Sequence, residues 1–540
     1  MRRLGGSLLL GLSAATFFLS PVVEPILRLT PARLYFVRRP PERLDYFLLL
    51  GLILVIGLLA GTAEWASPRM GPWLQHLGRA PFWVLLVMSF EHVIHFHLAR
   101  YPPLWNVVAA QVNRVGVSAV DGWFAVGVVC SVAVIAVFYF NPAAWAFAKP
   151  ILCGSAAVVW LGCGWKLVQL PRPPADPPPS HAEIRPVRDM GPGNPVVWII
   201  LDEWDYDLTY RRSDGKIFPE LERLRRESVF LENVRSAGKA TLIAIPSLLT
   251  GKAVREYRPA DPSGARFLSV GARSEAFPGS GTIFDAASRF GYKSQIVGWY
   301  HPYCRMFGSQ VESCWWDDLT FPSLRPGRPI AERAFAFLRE SIEFEILPVA
   351  GPVNHILKQL ARVNPMVEQA ALAASRPGRR FSFLHLPVPH GPFYKLAPDS
   401  RMIPLRSDLE GYQSGLDAAD RAIGKIRAAM EQSGVWDEAL VVVTSDHPYR
   451  YQFGGGYGNG HIPMMIKFPH QKAPVVYSPA FQAVETRRLL EDFMQGHVGT
   501  PQSAIAWLDR AAPARGAAGS NLALPLLPAS PEPMSAWGNP

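Results

Sequence analysis

Apolar residues are distributed along this chain in two regimes. Up to about residue 168 they form long blocks, near 5–27, 46–64, 81–98, 120–140 and 143–165. Each reaches or nearly reaches the roughly 20 residues a helix needs to cross a bilayer. The second and fourth blocks are clean, the third carries Glu91, His92, His95 and His97, and the first is broken by Pro21, Glu24 and Pro25. Beyond about residue 195 the pattern changes to short β-branched runs alternating with segments of helical period. Val196–Leu201, Phe230–Val234, Ser294–Trp299, Phe381–Leu386 and Leu440–Thr444 read as strands. Helices are predicted over Phe218–Glu227, Thr282–Phe290 and Tyr412–Met430, the last with Leu416, Ala419, Ile423, Ile426 and Met430 on one face. Strands alternating with helices predict a mostly parallel central sheet covered by helices on both faces.

The division predicts four segments: a transmembrane helical domain of about five spans over 1–168, a linker over 169–194, a catalytic-sized α/β domain over 195–510, and a disordered tail over 511–540. The linker contains Pro171-Arg172-Pro173-Pro174-Ala175-Asp176-Pro177-Pro178-Pro179-Ser180, stiff and extended by composition. Ala, Pro and Gly dominate the tail. Met1-Arg2-Arg3 before a leucine-rich run also fits a cleaved signal peptide, but the later spans and the lack of a clear small-residue cleavage site favour a first span that is retained.

Charge and cysteine bear on orientation. The formal charge is +10, and Arg28, Arg33, Arg38, Arg39 and Arg43 crowd the loop between the first two blocks. Such a loop ordinarily stays cytoplasmic, whereas five spans with the N-terminus inside place both it and the large domain outside. Cysteine tilts the choice. Cys304 and Cys314 lie in a polar stretch of the second half, either as two free thiols or as a disulfide closing a short loop in an oxidising compartment. The expected location is therefore a multi-pass inner-membrane protein with a periplasmic or otherwise extracytoplasmic catalytic domain. The arginines are scattered and lack interleaved aromatics, which argues against nucleic acid as a partner.

Candidate chemistry sits where apolar runs stop. Asp202-Glu203 follow Val196–Leu201, and Asp446-His447 follow Leu440–Ser445. Acids and histidine at strand ends lie at the carboxyl edge of a parallel sheet, where α/β folds bind ligands. Thr241, in Gly238-Lys239-Ala240-Thr241-Leu242-Ile243-Ala244-Ile245-Pro246, reads as the start of a helix. It is either an ordinary N-cap or a nucleophile with exposed amides and a positive dipole end beside it. A threonine hydroxyl needs a base or a metal to react at neutral pH. Hard oxygen donors with one or two imidazoles suit Zn²⁺ or Mn²⁺ better than Ca²⁺. His390 and His461 occupy loops rich in glycine and proline.

With these residues in place, the stretch from about 195 to 510 resembles the alkaline phosphatase superfamily in its sulfatase-like branch. It is most similar there to the membrane-anchored phosphoethanolamine and phosphoglycerol transferases. The resemblance implies Thr241 as nucleophile and Glu203, Asp446 and His447 as metal ligands together with Thr241; Asp202 is a further candidate. It implies that His390 and His461 hold the substrate phosphate or a second metal, and that Cys304 and Cys314 correspond to a disulfide of that group. Sulfatases require Cys or Ser two residues before the proline and Arg two after it. Ala244 and Leu248 stand there, so a formylglycine nucleophile cannot form. Pro448 also replaces the glycine common after the Asp-His pair in relatives. The implied activity is transfer of a phosphorus-containing headgroup from a phospholipid donor to an envelope lipid or glycan. The alternatives are a membrane-anchored phosphodiesterase or phosphatase and a non-catalytic envelope protein.

Overall fold

The computed structural model describes residues 2–20, 23, 43–69, 71–93, 119–169, 193–211, 215–261, 264–269, 274–278, 281–317, 329–345, 363–391, 393–396, 402–405, 409–449 and 460–511. The expected linker, apart from its two ends, and the expected tail beyond 511 lie outside these residues. So do His95, His97 and the arginine-rich loop as far as Arg39.

Val196–Leu201 (β1) is buried along its whole length, as an unbroken aliphatic run requires. It lies between Leu440–Ser445 (β11) and Arg380–Leu386 (β8), parallel to both. Beyond β8 come Lys293–Trp299 (β6) and Ser313–Asp317 (β7), also parallel. On the other side β11 pairs with His461–Lys467 (β12), and β12 with Val229–Arg235 (β2), both antiparallel. Val475–Tyr477 (β13) and Phe481–Gln482 (β14) run parallel to β2. The sheet is thus mixed but mostly parallel, and β12 is its reversed strand.

Side-chain alternation splits β1 between two cores. Val196, Trp198 and Ile200 enter the one that includes Ile245, Leu248 and Leu249 of the helix Thr241–Thr250 and Leu489 and Leu490 of the helix Thr486–Met494. Val197, Ile199 and Leu201 enter the other, with Leu221 and Leu224 of Pro219–Arg225 and Leu416, Ile423 and Met430 of Leu409–Gln432. Helices therefore cover both faces, as the alternation of strands and helices predicted. A separate sheet of Val254–Asp261, Gly264–Ser269 and Ser274–Phe277 follows the helix Thr241–Thr250.

The N-terminal region contains the helices Arg2–Phe18, Arg43–Ala66, Pro72–Val93, Ala119–Phe140 and Pro142–Gln169. Among the described residues, two helical stretches, Arg43–Arg69 and Pro142–Trp165, are long and apolar enough to cross a membrane. Gly57 and Gly61 face Gly11 and Ser7 of the first helix so closely that a Cβ on either would strike the opposing backbone. Small residues spaced four apart allow this approach, as in helices packed within lipid. The helix Ile330–Glu345 docks onto this region: Phe337 enters a cluster with Ala15, Phe18, Leu49 and Ile53, and Arg333 forms a buried ion pair with Asp45.

Candidate active site

The ends of β1 and β11 coincide because Leu201 and Ser445 are register partners. The next residues, Asp202 and Asp446, emerge side by side and are fully buried. Ser445 stitches the two chain exits together. Its hydroxyl accepts from the Trp204 amide (2.8 Å) and lies 2.9 Å from the Leu201 carbonyl and 2.8 Å from that of His447. Glu203 turns the chain in the left-handed region, with φ of 66°, a conformation that persists in a non-glycine residue only when its surroundings enforce it. They do: its amide donates to Asp446 Oδ1 (3.1 Å), and the Tyr412 hydroxyl donates to its carbonyl (2.7 Å).

Asp202, Asp446 and His447 each offer a ligand atom, all within 4.8 Å of one another. His447 Nε2 lies 3.4 Å from Asp446 Oδ2 and 3.9 Å from Asp202 Oδ1. The tautomer of His447 follows from its other nitrogen. Nδ1 donates to the Pro448 carbonyl at 2.9 Å, so in the neutral imidazole the lone pair sits on Nε2. Among the described residues, both carboxylate oxygens of Asp202, and Oδ2 of Asp446, are buried and have no hydrogen-bond partner. Burial works against the Asp202 carboxylate, but the approach of His385, and the positive charge that His390, His385 and His447 would bring when protonated, hold it below the usual range. Burial and then the Asp202 charge push the Asp446 carboxyl up. Orphaned buried oxygens facing an imidazole lone pair fit a divalent cation, which would satisfy them together.

Thr241 completes the group. It is the first residue of its helix, and Ala240 occupies the cap position, so the threonine is not the N-cap its sequence context also allowed. Ala240 has no side-chain acceptor for the first amides. The Thr241 hydroxyl instead lies 3.3 Å from His447 Nε2. Gly238 makes the preceding loop possible: a Cβ there would lie 2.7 Å from the Ala244 amide nitrogen.

The remaining predicted residues are placed differently. The Glu203 carboxylate is outside the three-donor group, 4.0 Å from His390 Nε2. The left-handed turn sends adjacent acids in different directions, and Asp202 is the one that joins the cluster. His390 Nδ1 donates to the Gly391 carbonyl at 2.7 Å. His461 begins β12 at the same sheet edge. It stacks on Tyr206 with ring centroids 4.0 Å apart, donates from Nε2 to the Glu232 carbonyl (2.7 Å), and has Nδ1 3.3 Å from Asp207. With Arg211, Arg235 and Ser478 it borders a hollow of about 310 Å³. Cys304 and Cys314 are joined as a disulfide, tying the turn after β6 to β7.

Sequence reasoning passed over three residues here. His385, on β8, lies with Nε2 3.7 Å from Asp202 Oδ2 and Nδ1 2.8 Å from the Tyr303 hydroxyl. His301 donates from Nε2 to the Thr241 carbonyl at 3.2 Å, and burial pushes its imidazole down to about 3. The signal available was the pair His301 and Tyr303 following the end of β6, itself a sheet edge.

The family model for sulfatases matches residues 194–495, more than half the chain. No curated protein matches. Among solved structures, the chain is similar to a protein in the alkaline phosphatase superfamily from Vibrio parahaemolyticus (16% identity, 57% of this chain and 67% of that one, TM-score 0.37). It is also similar to the phosphonate monoester hydrolase of Agrobacterium radiobacter (15% identity, 60% and 78%, TM-score 0.35). A third is the lipoteichoic acid synthase LtaP from Listeria monocytogenes (13% identity, 56% and 72%, TM-score 0.34). Through the domain matched over 194–495, this chain belongs to the sulfatase family.

Proposed function

We propose that this protein transfers a phosphorus-containing headgroup, of phosphoethanolamine or phosphoglycerol type, from a phospholipid to an envelope lipid or glycan. The observation that carries this reading is the Thr241 hydroxyl, 3.3 Å from the bare Nε2 of His447 and beside two buried carboxylates with orphaned oxygens. Within the sulfatase family this is a threonine site. Ala244 and Leu248, at the positions a formylglycine enzyme needs, are fully buried in the core face of the helix.

Asp202, Asp446, His447 and Thr241 would hold a cation, and the donor set suits Zn²⁺ or Mn²⁺. When bound, it supplies positive charge beside the threonine oxygen and the phosphoryl group. In the first step Thr241 Oγ1 forms a bond to phosphorus and loses its proton, while the bond to the diacylglycerol oxygen breaks and that oxygen gains one. In the second, an acceptor hydroxyl forms its own bond to phosphorus and the Thr241 ester breaks, restoring the hydroxyl. His447, as a ligand through Nε2, would keep the cation beside the Thr241 hydroxyl, and His301 holds the Thr241 backbone from behind. His390 and His461 are proposed to contact the substrate.

In this reading the chemistry takes place at a membrane, with 1–168 as anchor and 195–510 as the catalytic domain in the periplasm. Support comes from the two long apolar helices, the glycine-mediated contact, and the Cys304–Cys314 disulfide, which suits an oxidising compartment. The rival is a hydrolase that passes the group to water. Purified full-length protein in detergent, given a headgroup-labelled phospholipid and an envelope glycolipid extract, separates them. Transfer puts label on the extract along with release of diacylglycerol. Label recovered only as a free water-soluble phosphate would make the protein a hydrolase.

A further inference from the structure

Asp202 is held from a side that the nucleophile does not occupy. Its carboxylate lies between two imidazoles, Oδ1 toward His447 at 3.9 Å and Oδ2 toward His385 at 3.7 Å. His385 is fully buried, and among the described residues its Nε2 and the Asp202 oxygens have no hydrogen-bond partner. Behind His385, its Nδ1 meets the hydroxyl of Tyr303, also fully buried, at 2.8 Å. Three segments distant in sequence thus converge: the exit of β1, the end of β8, and the turn after β6.

The placement of Tyr303 is built into the chain. Gly298 leaves room for its ring: a Cβ at that position would lie 2.6 Å from Tyr303 Cε2. The next residue, Cys304, is tied to β7 through Cys314. Phe383 packs on the ring with centroids 5.8 Å apart. A tyrosine held this way fixes one tautomer of its histidine partner. If the hydroxyl donates to Nδ1, the proton of His385 must sit on Nε2, pointing at Asp202 Oδ2. The opposite tautomer would set a lone pair against a carboxylate.

We infer that Tyr303 and His385 are positioning residues that orient the Asp202 carboxylate, so that its other oxygen is presented to the cation. The inference rests on the assignment of Asp202 as a cation donor. At 3.7 Å the Nε2–Oδ2 contact is longer than a hydrogen bond, and a shift of under about an ångström would make it one. Partners of this kind, standing behind a metal ligand, typically govern 10–100-fold of metal affinity.

The test is Mn²⁺ affinity of the full-length protein in detergent, read from the free-ion electron paramagnetic resonance signal, alongside thermal unfolding of the metal-free protein. His385→Ala is expected to weaken Mn²⁺ binding by about 10–100-fold. His385→Gln, which keeps an N–H donor, recovers part of the loss. Tyr303→Phe, and Gly298→Ala, whose new methyl displaces the Tyr303 ring, give intermediate losses. Metal-free unfolding of Tyr303→Phe and His385→Gln stays near that of the native protein. Native affinity in His385→Gln, His385→Ala and Tyr303→Phe would overturn the inference, as would losses that only follow a matching drop in metal-free stability. If the native protein itself binds no Mn²⁺ or Zn²⁺, the site assignment fails first, and the two failures are distinguishable.

Discussion

The hydroxyl of Thr241 and Nε2 of His447 lie 3.3 Å apart, although 206 residues separate them in sequence. The bond that His447 Nδ1 donates to the Pro448 carbonyl leaves a lone pair on the nitrogen facing the hydroxyl. A cation at Asp202 and Asp446 would take that lone pair and have the Thr241 oxygen beside it. Removing the hydroxyl should therefore remove the chemistry and spare the fold. Thr241→Ala is expected to lower headgroup release by at least about a thousandfold. Because the first helical residue tolerates alanine, its thermal unfolding should shift little. Thr241→Ser should retain measurable turnover; a steady-state assay of diacylglycerol release measures both variants, and calorimetry measures the unfolding of Thr241→Ala.

Asp202 and Asp446 are buried next to each other with orphaned oxygens, so the metal-free protein carries an electrostatic cost that a cation relieves. Chelation should lower the unfolding temperature of the native protein, and Zn²⁺ or Mn²⁺ should restore it. At a hundredfold excess over Kd, the restored stability is about 2.7 kcal/mol. In Asp446→Asn the metal-dependent increment should vanish. Calorimetry with and without chelator measures it.

His301 gives a pH dependence of defined sign. Burial lowers its imidazole from the usual value near 6.5 to about 3, so the folded state keeps it neutral. Below about 6.5 the unfolded chain takes up a proton that the folded chain refuses. The stability this group contributes is thus fully present above about 6.5 and is lost as pH falls toward 3, by an order of a few kcal/mol. His301→Gln, which retains a donor for the Thr241 carbonyl, should flatten this part of the acid limb. Denaturant midpoints measured between pH 4 and 7 compare the two proteins.

The buried pair of Arg333 and Asp45 joins the helix Ile330–Glu345 to the start of the helix Arg43–Ala66. Removing one partner of a buried ion pair typically costs about 3–5 kcal/mol. Arg333→Ala should therefore loosen this junction and speed proteolysis near it. Replacing Arg333 and Asp45 together by apolar residues of similar size should recover much of the loss.

Much of the sheet was legible because β1 and β11 are apolar runs that end sharply, β8 is apolar apart from Arg380, Ser382 and His385, and the acids beyond β1 and β11 mark the carboxyl edge. Which of two adjacent acids faces the cluster was not legible. That depends on the left-handed turn at Glu203, which the Tyr412 hydroxyl and Asp446 hold from far along the chain. His385 was hidden for a related reason: it lies within a buried strand, in Phe381–Leu386, and becomes part of the site only through the register of β8 beside β1. His461 was recognisable as a residue of interest. The antiparallel strand it begins was not, because a run containing Pro463 and two methionines reads weakly as a strand.

The central claim is that Thr241 carries the transferred group. Intact-mass and peptide analysis of the full-length protein, after brief incubation with phospholipid and Zn²⁺ or Mn²⁺, tests it most directly. The account predicts a phosphoethanolamine- or phosphoglycerol-sized adduct on the peptide containing Thr241, lost on chelation and absent from Thr241→Ala. Headgroup release continuing at the native rate in Thr241→Ala, with no adduct on the native protein, would contradict it.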